Sequence, residues 1–229
     1  MVKPGCAVVK TKVPHLPPNF AAGPSRTAQV AEWFAREIRS GRIAPGDKLP
    51  TEQELIGRFG GTGLGNMYRS VVAEAAIATV QAAYAAGIRY FDTAPVYGFG
   101  LSETRLGEAI RGFPRRDIVI SSKVGYDLVP IPREEMKPAL WDDPLPMKAD
   151  FDYSRDAVMR SLEGTLRRLG VDAVDMVSIH DPDEAIHFGP GEDPYARSRF
   201  HEAMDGAYPA LDELRSQGVI KAVGVGINQ

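Results

Sequence analysis

From about residue 70 onward, apolar positions repeat with helical spacing in some segments and run continuously in others. The helical segments end at glycines, which favour the backbone conformation that closes a helix. The continuous apolar runs that follow indicate strands buried on both faces. Strands that alternate regularly with helices predict βαβ units and a parallel sheet. The predicted helices lie near residues 70–86, 102–111, 154–169 and 205–217, and the predicted strands at 88–94, 118–124, 174–180 and 220–227.

Three of these predicted strands end in an ionisable residue. Asp92, Lys123 and His180 each close an apolar run, and Tyr97 lies in a Pro/Gly turn five residues after Asp92. Parallel α/β folds keep their chemistry at the carboxyl ends of the strands, which meet at one edge of the sheet. We therefore expect the four side chains to point into one mouth.

The four residue types suit proton transfer to or from a carbonyl group. A tyrosine has an ordinary pKa near 10, too high for efficient proton transfer at neutral pH. A lysine ammonium close to it favours the phenolate and lowers that pKa. Asp92 would hold Lys123 charged and in place, and His180 could donate a hydrogen bond to a substrate oxygen. Each residue alone also has a structural alternative: the aspartate could cap a helix, the lysine could be solvated, the histidine could order the next loop and the tyrosine could simply pack.

Two long connections follow predicted strands, at residues 125–153 and 181–201. Loops on that face of an α/β barrel are where substrate contacts accumulate. The first connection is rich in proline, which we expect to exclude regular structure, and the alternative is a disordered insertion. Its prolines are Pro130, Pro132, Pro138, Pro144 and Pro146.

Composition limits the class of protein. At 229 residues, with 44% hydrophobic and 25% charged residues, the chain can build a real core. The single cysteine, Cys6, excludes an internal disulfide framework, and we find no membrane-spanning run and no secretory signal, so we expect a cytoplasmic protein. The isolated histidines lack ligand spacing, and we assign no metal. The spacing of Gly61, Gly63 and Gly65 does not fit a Rossmann dinucleotide site.

The first 60 residues differ from the remainder in charge. They hold 9 Lys/Arg against 5 Asp/Glu, whereas residues 61–229 hold 18 against 25. The basic excess makes this segment a candidate for nucleic-acid contact, although short terminal segments also vary in charge by chance. Residues 1–25 are proline-rich and without periodicity, which predicts a flexible leader. The apolar positions between Thr27 and Ser40 fit one face of a helix.

Several short segments match the sequence pattern of one enzyme family. They are Phe91-Asp92-Thr93-Ala94-Pro95-Val96-Tyr97-Gly98, Ser102-Glu103, Ser122-Lys123-Val124-Gly125, Ser161-Leu162, Arg168-Leu169-Gly170, Ile179-His180-Asp181-Pro182 and Gly224-Val225-Gly226-Ile227-Asn228-Gln229. On these segments, residues 59–229 resemble the aldo-keto reductases, which are NAD(P)-dependent (β/α)₈ barrels of the TIM type. Further details look like the subgroup that oxidises L-fucose, galactose or D-threo-aldoses, among them Gly226-Ile227-Asn228-Gln229.

The resemblance implies a role for each of the four strand-end residues. Tyr97 would be the general acid/base, with Lys123 and Asp92 tuning its pKa, and His180 would orient the carbonyl or hydroxyl group of the substrate. Hydride would pass directly between the nicotinamide and the substrate carbon, because the cofactor supplies that chemistry. For a sugar, a cyclic hemiacetal would lose hydride and give a lactone.

The resemblance also implies a cofactor site and a substrate class. Asn228 would contact the nicotinamide carboxamide, and Gly61 would belong to the cofactor site. The cofactor would be NADP or NAD, with no choice between them because the matching residues include no phosphate-binding loop. The substrate would be a small sugar or other carbonyl compound. Nothing in the pattern assigns an oligomeric state.

The family pattern accounts for about five βα units. Its first strand would lie in the Gly-rich run after Phe59 and its fifth at residues 220–227. A (β/α)₈ barrel has eight units and typically about 250 residues. We therefore expect an incomplete barrel over residues 61–229, with an unpaired strand edge and an uncovered apolar interior.

The segment before the barrel resembles a different family. Residues 26–60 are similar to the start of a GntR-type winged helix-turn-helix, on the helical pattern from Val30 to Gly41 and the segment Pro45-Gly46-Asp47-Lys48-Leu49-Pro50-Thr51-Glu52-Gln53-Glu54-Leu55. The recognition helix that would enter the DNA major groove is missing, because the reductase pattern begins in its place. We therefore expect a partial domain without sequence-specific DNA binding.

Three hypotheses of function follow. The first is an aldo-keto reductase-type sugar dehydrogenase with a short helical appendage. The second is a DNA-binding regulator whose reductase-like part senses a ligand. The third is a fusion or fragment product that has neither activity.

Overall fold

The structure of the chain is a computed structural model, and it separates into two compact units, Met1–Gly61 and Thr62–Gln229. In the first unit, helix α1 spans Arg26–Arg39, and the buried Glu37 carboxylate accepts a hydrogen bond of 2.9 Å from Arg42 Nη2. No helix in the described part of the chain is long and apolar enough to span a membrane. The described residues are 26–44, 63–137, 140–183 and 198–227.

The second unit alternates helices and strands around one parallel sheet. Its elements are α2 (Ala73–Ala85), β1 (Tyr90–Asp92), α3 (Leu101–Ile110), β2 (Val119–Val124), β3 (Tyr126–Pro130), β4 (Met147–Phe151), α4 (Arg155–Leu169), β5 (Met176–His180), α5 (Tyr208–Ser216) and β6 (Ala222–Gly226). The parallel sheet has the order β1–β2–β5–β6. This architecture confirms the prediction of βαβ units, and relative to a complete barrel the described sheet has few strands.

The register of the sheet brings the strand ends to one edge. Asp92 of β1 pairs with Ser121, and His180 of β5 pairs with Gly226 of β6. Lys123 of β2 lies opposite Ser178 of β5. Because all these strands run in the same direction, their carboxyl ends form a single mouth.

Helix α4 shows how the sequence sets the elements. Ser154 caps its first turn, where the hydroxyl oxygen accepts a hydrogen bond of 3.3 Å from Ala157 N. Gly170 ends the helix with φ +64°, the left-handed conformation that glycine adopts without strain. One face of α4 packs on the sheet, and the core beneath it is mainly apolar, although Ser161 and Thr165 of α4 are also buried. The most buried large apolar members of the core are Leu106, Ile120, Val124, Tyr153, Val158, Leu169, Val177, Ile179 and Leu211.

The connection at 125–153 contradicts the expectation that its prolines exclude regular structure. Strands β3 and β4 pair antiparallel within it. Pro130 is the last residue of β3, and Pro146 immediately precedes β4, where its carbonyl accepts a hydrogen bond of 3.1 Å from Ile131 N. A proline lacks only the donor of the ladder, so it is tolerated at strand ends and in a two-stranded edge pair.

Other predicted elements differ in extent or lie outside the described residues. The helix predicted at 205–217 starts within a π-helical turn, Ala203–Ala207, which follows the short helix Phe200–Glu202, and only α5 within that range is a regular α-helix. The described part of the Gly-rich run, residues 63–65, forms no strand. Residues 45–62, which include the part of the predicted helix-turn-helix after its first helix, and residues 184–197 of the second long connection lie outside the described part.

Candidate active site

The carboxyl ends of β1 and β2 bring an ion pair to the mouth of the sheet. The Lys123 ammonium donates a short hydrogen bond to Asp92 Oδ2 and a second one, of 3.0 Å, to the Thr93 carbonyl. Ser121 Oγ donates to the other carboxylate oxygen of Asp92 at 2.7 Å. These hydrogen bonds hold the Lys123 ammonium in one position, so its charge acts mainly on the groups next to it.

Tyr97 lies beside that ammonium. Lys123 Nζ is 4.9 Å from the centroid of the Tyr97 ring. The backbone after the tyrosine approaches the segment around Gly65 closely, because a Cβ atom added to Gly65 would lie 2.6 Å from the carbonyl carbon of Tyr97. Gly98 has φ +64° at the same contact. The two glycines thus fix the backbone that carries the phenol.

The charges of the site act on one another. Burial has the largest single influence on Lys123 and lowers its pKa, but the charges and hydrogen bonds of Tyr97 and Asp92 together outweigh burial, so the pKa of Lys123 is raised. The ammonium is therefore present at neutral pH although the residue is buried. Interaction free energies are mutual, so a cation that is stabilised by a phenolate also stabilises that phenolate.

His180, at the end of β5, is the fourth residue of the site and lies next to Tyr97. Its ring meets the Tyr97 ring edge-on, with 5.7 Å between the centroids. Burial, reinforced by the charge of Lys123, lowers the pKa of His180 to about 3. The imidazole is therefore neutral at physiological pH, and its contact of 3.6 Å with the Asp181 carboxylate is not an ion pair there. Among the described residues, its buried Nδ1 has no hydrogen-bond partner. The structure thus brings together the three residues predicted at strand ends, Asp92, Lys123 and His180, and Tyr97 from the turn after β1.

The predicted cofactor residues, Asn228 and Gly61, lie outside the described part of the chain. In the described part, no group of three or more His, Cys, Asp or Glu side chains is placed to hold a metal ion.

The long connection at residues 125–153 adds aromatic residues that the sequence analysis did not single out. Tyr126 meets His180 edge-on at 5.3 Å and donates a hydrogen bond of 3.3 Å to Asp181 Oδ2. The Tyr153 hydroxyl donates to the His180 carbonyl, and Trp141 lies with its ring 5.8 Å from that of Tyr97. The available signal was the presence of large aromatic residues in a loop that follows a strand end.

The comparisons with known proteins agree with this arrangement. The Aldo/keto reductase family profile matches residues 58–228. D-threo-aldose 1-dehydrogenase from a Pseudomonas species is 36% identical over 174 residues, which cover 73% of this chain and 48% of that protein. Pyridoxal 4-dehydrogenase from Microbacterium luteolum is 36% identical over 200 residues, covering 78% and 56%.

A solved structure gives the same picture of the fold. Glycerol dehydrogenase from Gluconobacter oxydans superposes with a TM-score of 0.51 at 27% identity, covering 72% of this chain and 42% of its own. The chain thus spans about half the length of the curated relatives it matches. None of these comparisons supports the GntR-type resemblance of residues 26–60 or DNA binding. Because the family profile covers well over half of the chain, the chain belongs to the aldo/keto reductase family.

Proposed function

We propose that this chain carries the proton-transfer site of a nicotinamide-dependent oxidoreductase that acts on sugars or related carbonyl compounds. The observation that carries the proposal is the contact of the Tyr97 ring with a buried, carboxylate-held ammonium and a neutral imidazole at one edge of a parallel sheet. This set has a proton donor, a group that tunes it and a neutral hydrogen-bonding group for the substrate oxygen.

Tyr97 is the general acid/base of the proposed reaction. In the oxidative direction the phenolate takes the hydroxyl proton of a cyclic hemiacetal while hydride leaves the same carbon, which gives a lactone. In the reductive direction the phenol returns its proton to the carbonyl oxygen. Lys123 stabilises the phenolate by its charge, and Asp92 holds Lys123 in place. His180 is neutral and can therefore donate a hydrogen bond to the substrate oxygen without supplying a competing acid.

The donor set of the site fits a hydride-transferring cofactor. The four side chains move and stabilise a proton, but none of them can supply or accept hydride, which a bound NAD(H) or NADP(H) provides. We propose that Asn228 holds the nicotinamide carboxamide and that Gly61 belongs to the same cofactor site. The site presents one fixed cation, Lys123, and one neutral ring, His180. A substrate oxygen that becomes negative during the reaction is stabilised by this cation and by a hydrogen bond from the ring.

The substrate class follows from the relatives. The dehydrogenases that match this chain are named for D-threo-aldoses, pyridoxal and L-galactose. These compounds share an oxidisable carbon that carries a hydroxyl or aldehyde oxygen, and two of the three are sugars. We propose a sugar of the threo-aldose, fucose or galactose type as the substrate of this site.

The substitution Tyr97→Phe tests the role of the phenol. We expect kcat to fall by at least about 100-fold, because general acid–base catalysis contributes about 100- to 10,000-fold. The affinity for NADH or NADPH, titrated in parallel by fluorescence, should stay within about twofold, since the ring is retained. Tyr208→Phe is the matched control, because Tyr208 is exposed on α5.

Two results would contradict the proposal. Normal turnover by Tyr97→Phe would remove the tyrosine from the chemistry. If the unmodified chain bound neither dinucleotide, the oxidoreductase function itself would be rejected for this chain.

A further inference from the structure

An aromatic ring outside the proton-transfer group lies beside its central residue. The Trp141 ring centroid is 5.8 Å from that of Tyr97, with the two planes at 43°. Both residues are half-buried, so each keeps part of its surface accessible. A molecule that hydrogen-bonds to the Tyr97 hydroxyl would therefore bind near the accessible part of the indole.

The backbone of Trp141 is tied to a second loop. Trp141 forms an isolated antiparallel β-bridge with Met67, and Tyr68 N donates a hydrogen bond of 2.8 Å to the Leu140 carbonyl. Asp142, the next residue, accepts from both the amide and the hydroxyl of Ser70, at 2.7 and 2.9 Å. The tryptophan lies in a long connection, yet its position is fixed on both sides.

The second loop is in turn anchored by a buried arginine. Arg105 of α3 is 8% exposed, and its guanidinium donates to the Leu64 carbonyl, Asn66 Oδ1 and the Val71 carbonyl, each at 2.7 Å. These bonds use both Nη atoms, whereas the buried Nε has no hydrogen-bond partner among the described residues. Because breaking them would leave further buried donors unpaired, the three bonds hold the loop in place. The same loop carries Gly65, which packs against the backbone of Tyr97. The loop that Arg105 anchors therefore contacts the backbone of both Tyr97 and the Trp141 segment, and it fixes the two residues relative to each other.

Such a pair favours a particular shape of substrate. An indole face binds flat, weakly polar surfaces by dispersion and burial of apolar area, and binding sites combine such faces with a few fixed polar groups. A six-membered ring, whether the C–H face of a pyranose or a pyridine ring, offers a flat face next to its reactive carbon. A small acyclic carbonyl compound offers none.

We propose that Trp141 is a substrate-contacting residue that makes the site select six-membered-ring substrates over small acyclic ones. This inference rests on the proposed function, because the substrate is placed by its oxygen at Tyr97. The contribution is one of binding, so its loss should appear in KM more than in kcat.

The kinetic test compares Trp141→Leu and Trp141→Phe with the unmodified chain on L-fucose, pyridoxal and methylglyoxal. We expect Trp141→Leu to raise KM for a ring substrate by about tenfold, within the range that a lost apolar contact gives, with methylglyoxal unchanged within about twofold. Trp141→Phe should restore most of the affinity, because it keeps an aromatic face. Loss for only one ring substrate identifies which ring the indole contacts. Equal loss for all three compounds, or no loss for either ring, would overturn the proposal.

A fluorescence test separates this inference from the proposed function. The chain has 2 tryptophans, so Trp141→Phe leaves only Trp33 as an emitter. Titration with L-fucose, which does not absorb in this range, should change the emission of the unmodified chain saturably and leave that of Trp141→Phe unchanged. No change, or a change that persists in Trp141→Phe, would reject the contact between the indole and a pyranose ring. If no substrate is turned over but this change is seen, the function fails and the binding contact stands.

Discussion

At the scale of single residues, the site is defined by which of its charges are buried. The Lys123 side chain is 9% exposed, whereas that of its partner Asp92 is 39% exposed. Isolated burial of an ammonium would favour its neutral form, but the charges of Tyr97 and Asp92 raise the pKa of Lys123 and keep the ammonium protonated. Removing Asp92 would leave an uncompensated charge in the mouth of the sheet, whereas removing Lys123 would leave a carboxylate that water can still reach.

His180 gives a prediction about stability and pH. Its pKa is about 3 in the folded chain against an ordinary value of 6.5, so between these two values the unfolded state binds one more proton. The free energy of unfolding therefore falls as pH is lowered from 6.5 towards 3, and the contribution of His180 to that slope is about 1.4 kcal/mol per pH unit. The contribution is fully present above pH 6.5.

Urea unfolding of the unmodified chain and of His180→Asn across this pH range measures that contribution. We expect the variant to lose stability less steeply as the pH falls. His201→Asn is the matched control, since His201 is exposed, and its slope should match that of the unmodified chain. Parallel slopes for the unmodified chain and His180→Asn would show that His180 is not held neutral by the fold.

The strand-end residues could be predicted from sequence because a charged group after a continuous apolar run marks where a strand leaves the core, and parallel strands bring such ends to one edge of the sheet. The expectation of burial on both faces was wrong for β1, where Tyr90 is exposed, and Lys123 is itself buried one residue before the end of β2. The contact between Tyr97 and Trp141 could not be predicted in the same way. It joins residues far apart in the chain through bonds between two loops, and no periodicity in either loop encodes that pairing.

At the scale of secondary-structure elements, one glycine governs how two helices meet. A Cβ atom added to Gly107 of α3 would lie 2.6 Å from the carbonyl carbon of Leu169 in α4 and closer still to its oxygen. The obstacle is backbone rather than a movable side chain. The helices can approach this closely only because position 107 has no side chain, and their contact also carries the buried pair Glu103–Arg168, whose Nε–Oε2 distance is 2.5 Å.

The substitution Gly107→Ala should therefore destabilise the chain. Alanine favours a helix by up to about 1 kcal/mol over glycine, but overpacking against backbone typically costs about 1–3 kcal/mol, so we expect a net loss of stability in urea unfolding. Gly112→Ala is the control, because a Cβ atom there meets nothing within 4 Å. Equal stability of the two variants would mean that α3 and α4 separate without cost.

The sequence predicted helix α4 well and failed to predict the strand pair β3–β4. Helix α4 has a serine cap, an amphipathic face and a terminal glycine, and its predicted range of 154–169 agrees with Arg155–Leu169. The antiparallel pair of β3 and β4 was not predicted, because the prolines of the connection at 125–153 were counted without regard to their positions. Pro130 and Pro146 stand at strand ends, where a missing amide donor removes no bond of the ladder.

At the scale of the whole molecule, the described sheet ends in two strands that each have a single partner. Strand β1 pairs with β2 and β6 pairs with β5 within the described residues. Apolar side chains are exposed at both edges, with Tyr90 50%, Val225 57% and Ile227 57% exposed. An exposed apolar edge strand is a template for pairing with another chain, so the molecule should be prone to self-association.

The substitution Val225→Lys tests that expectation. A charge on an edge strand opposes edge-to-edge pairing, and Val225 is exposed, so stability should change by less than about 0.5 kcal/mol. In sedimentation velocity over a wide range of protein concentration, the unmodified chain should shift to faster-sedimenting species as concentration rises, and Val225→Lys should do so less. Val72→Lys, at a residue that is 68% exposed before α2 and outside the sheet, should behave like the unmodified chain. If both lysine variants reduced association equally, net charge rather than the β6 edge would be the cause, and if neither did, the edge would play no part in it.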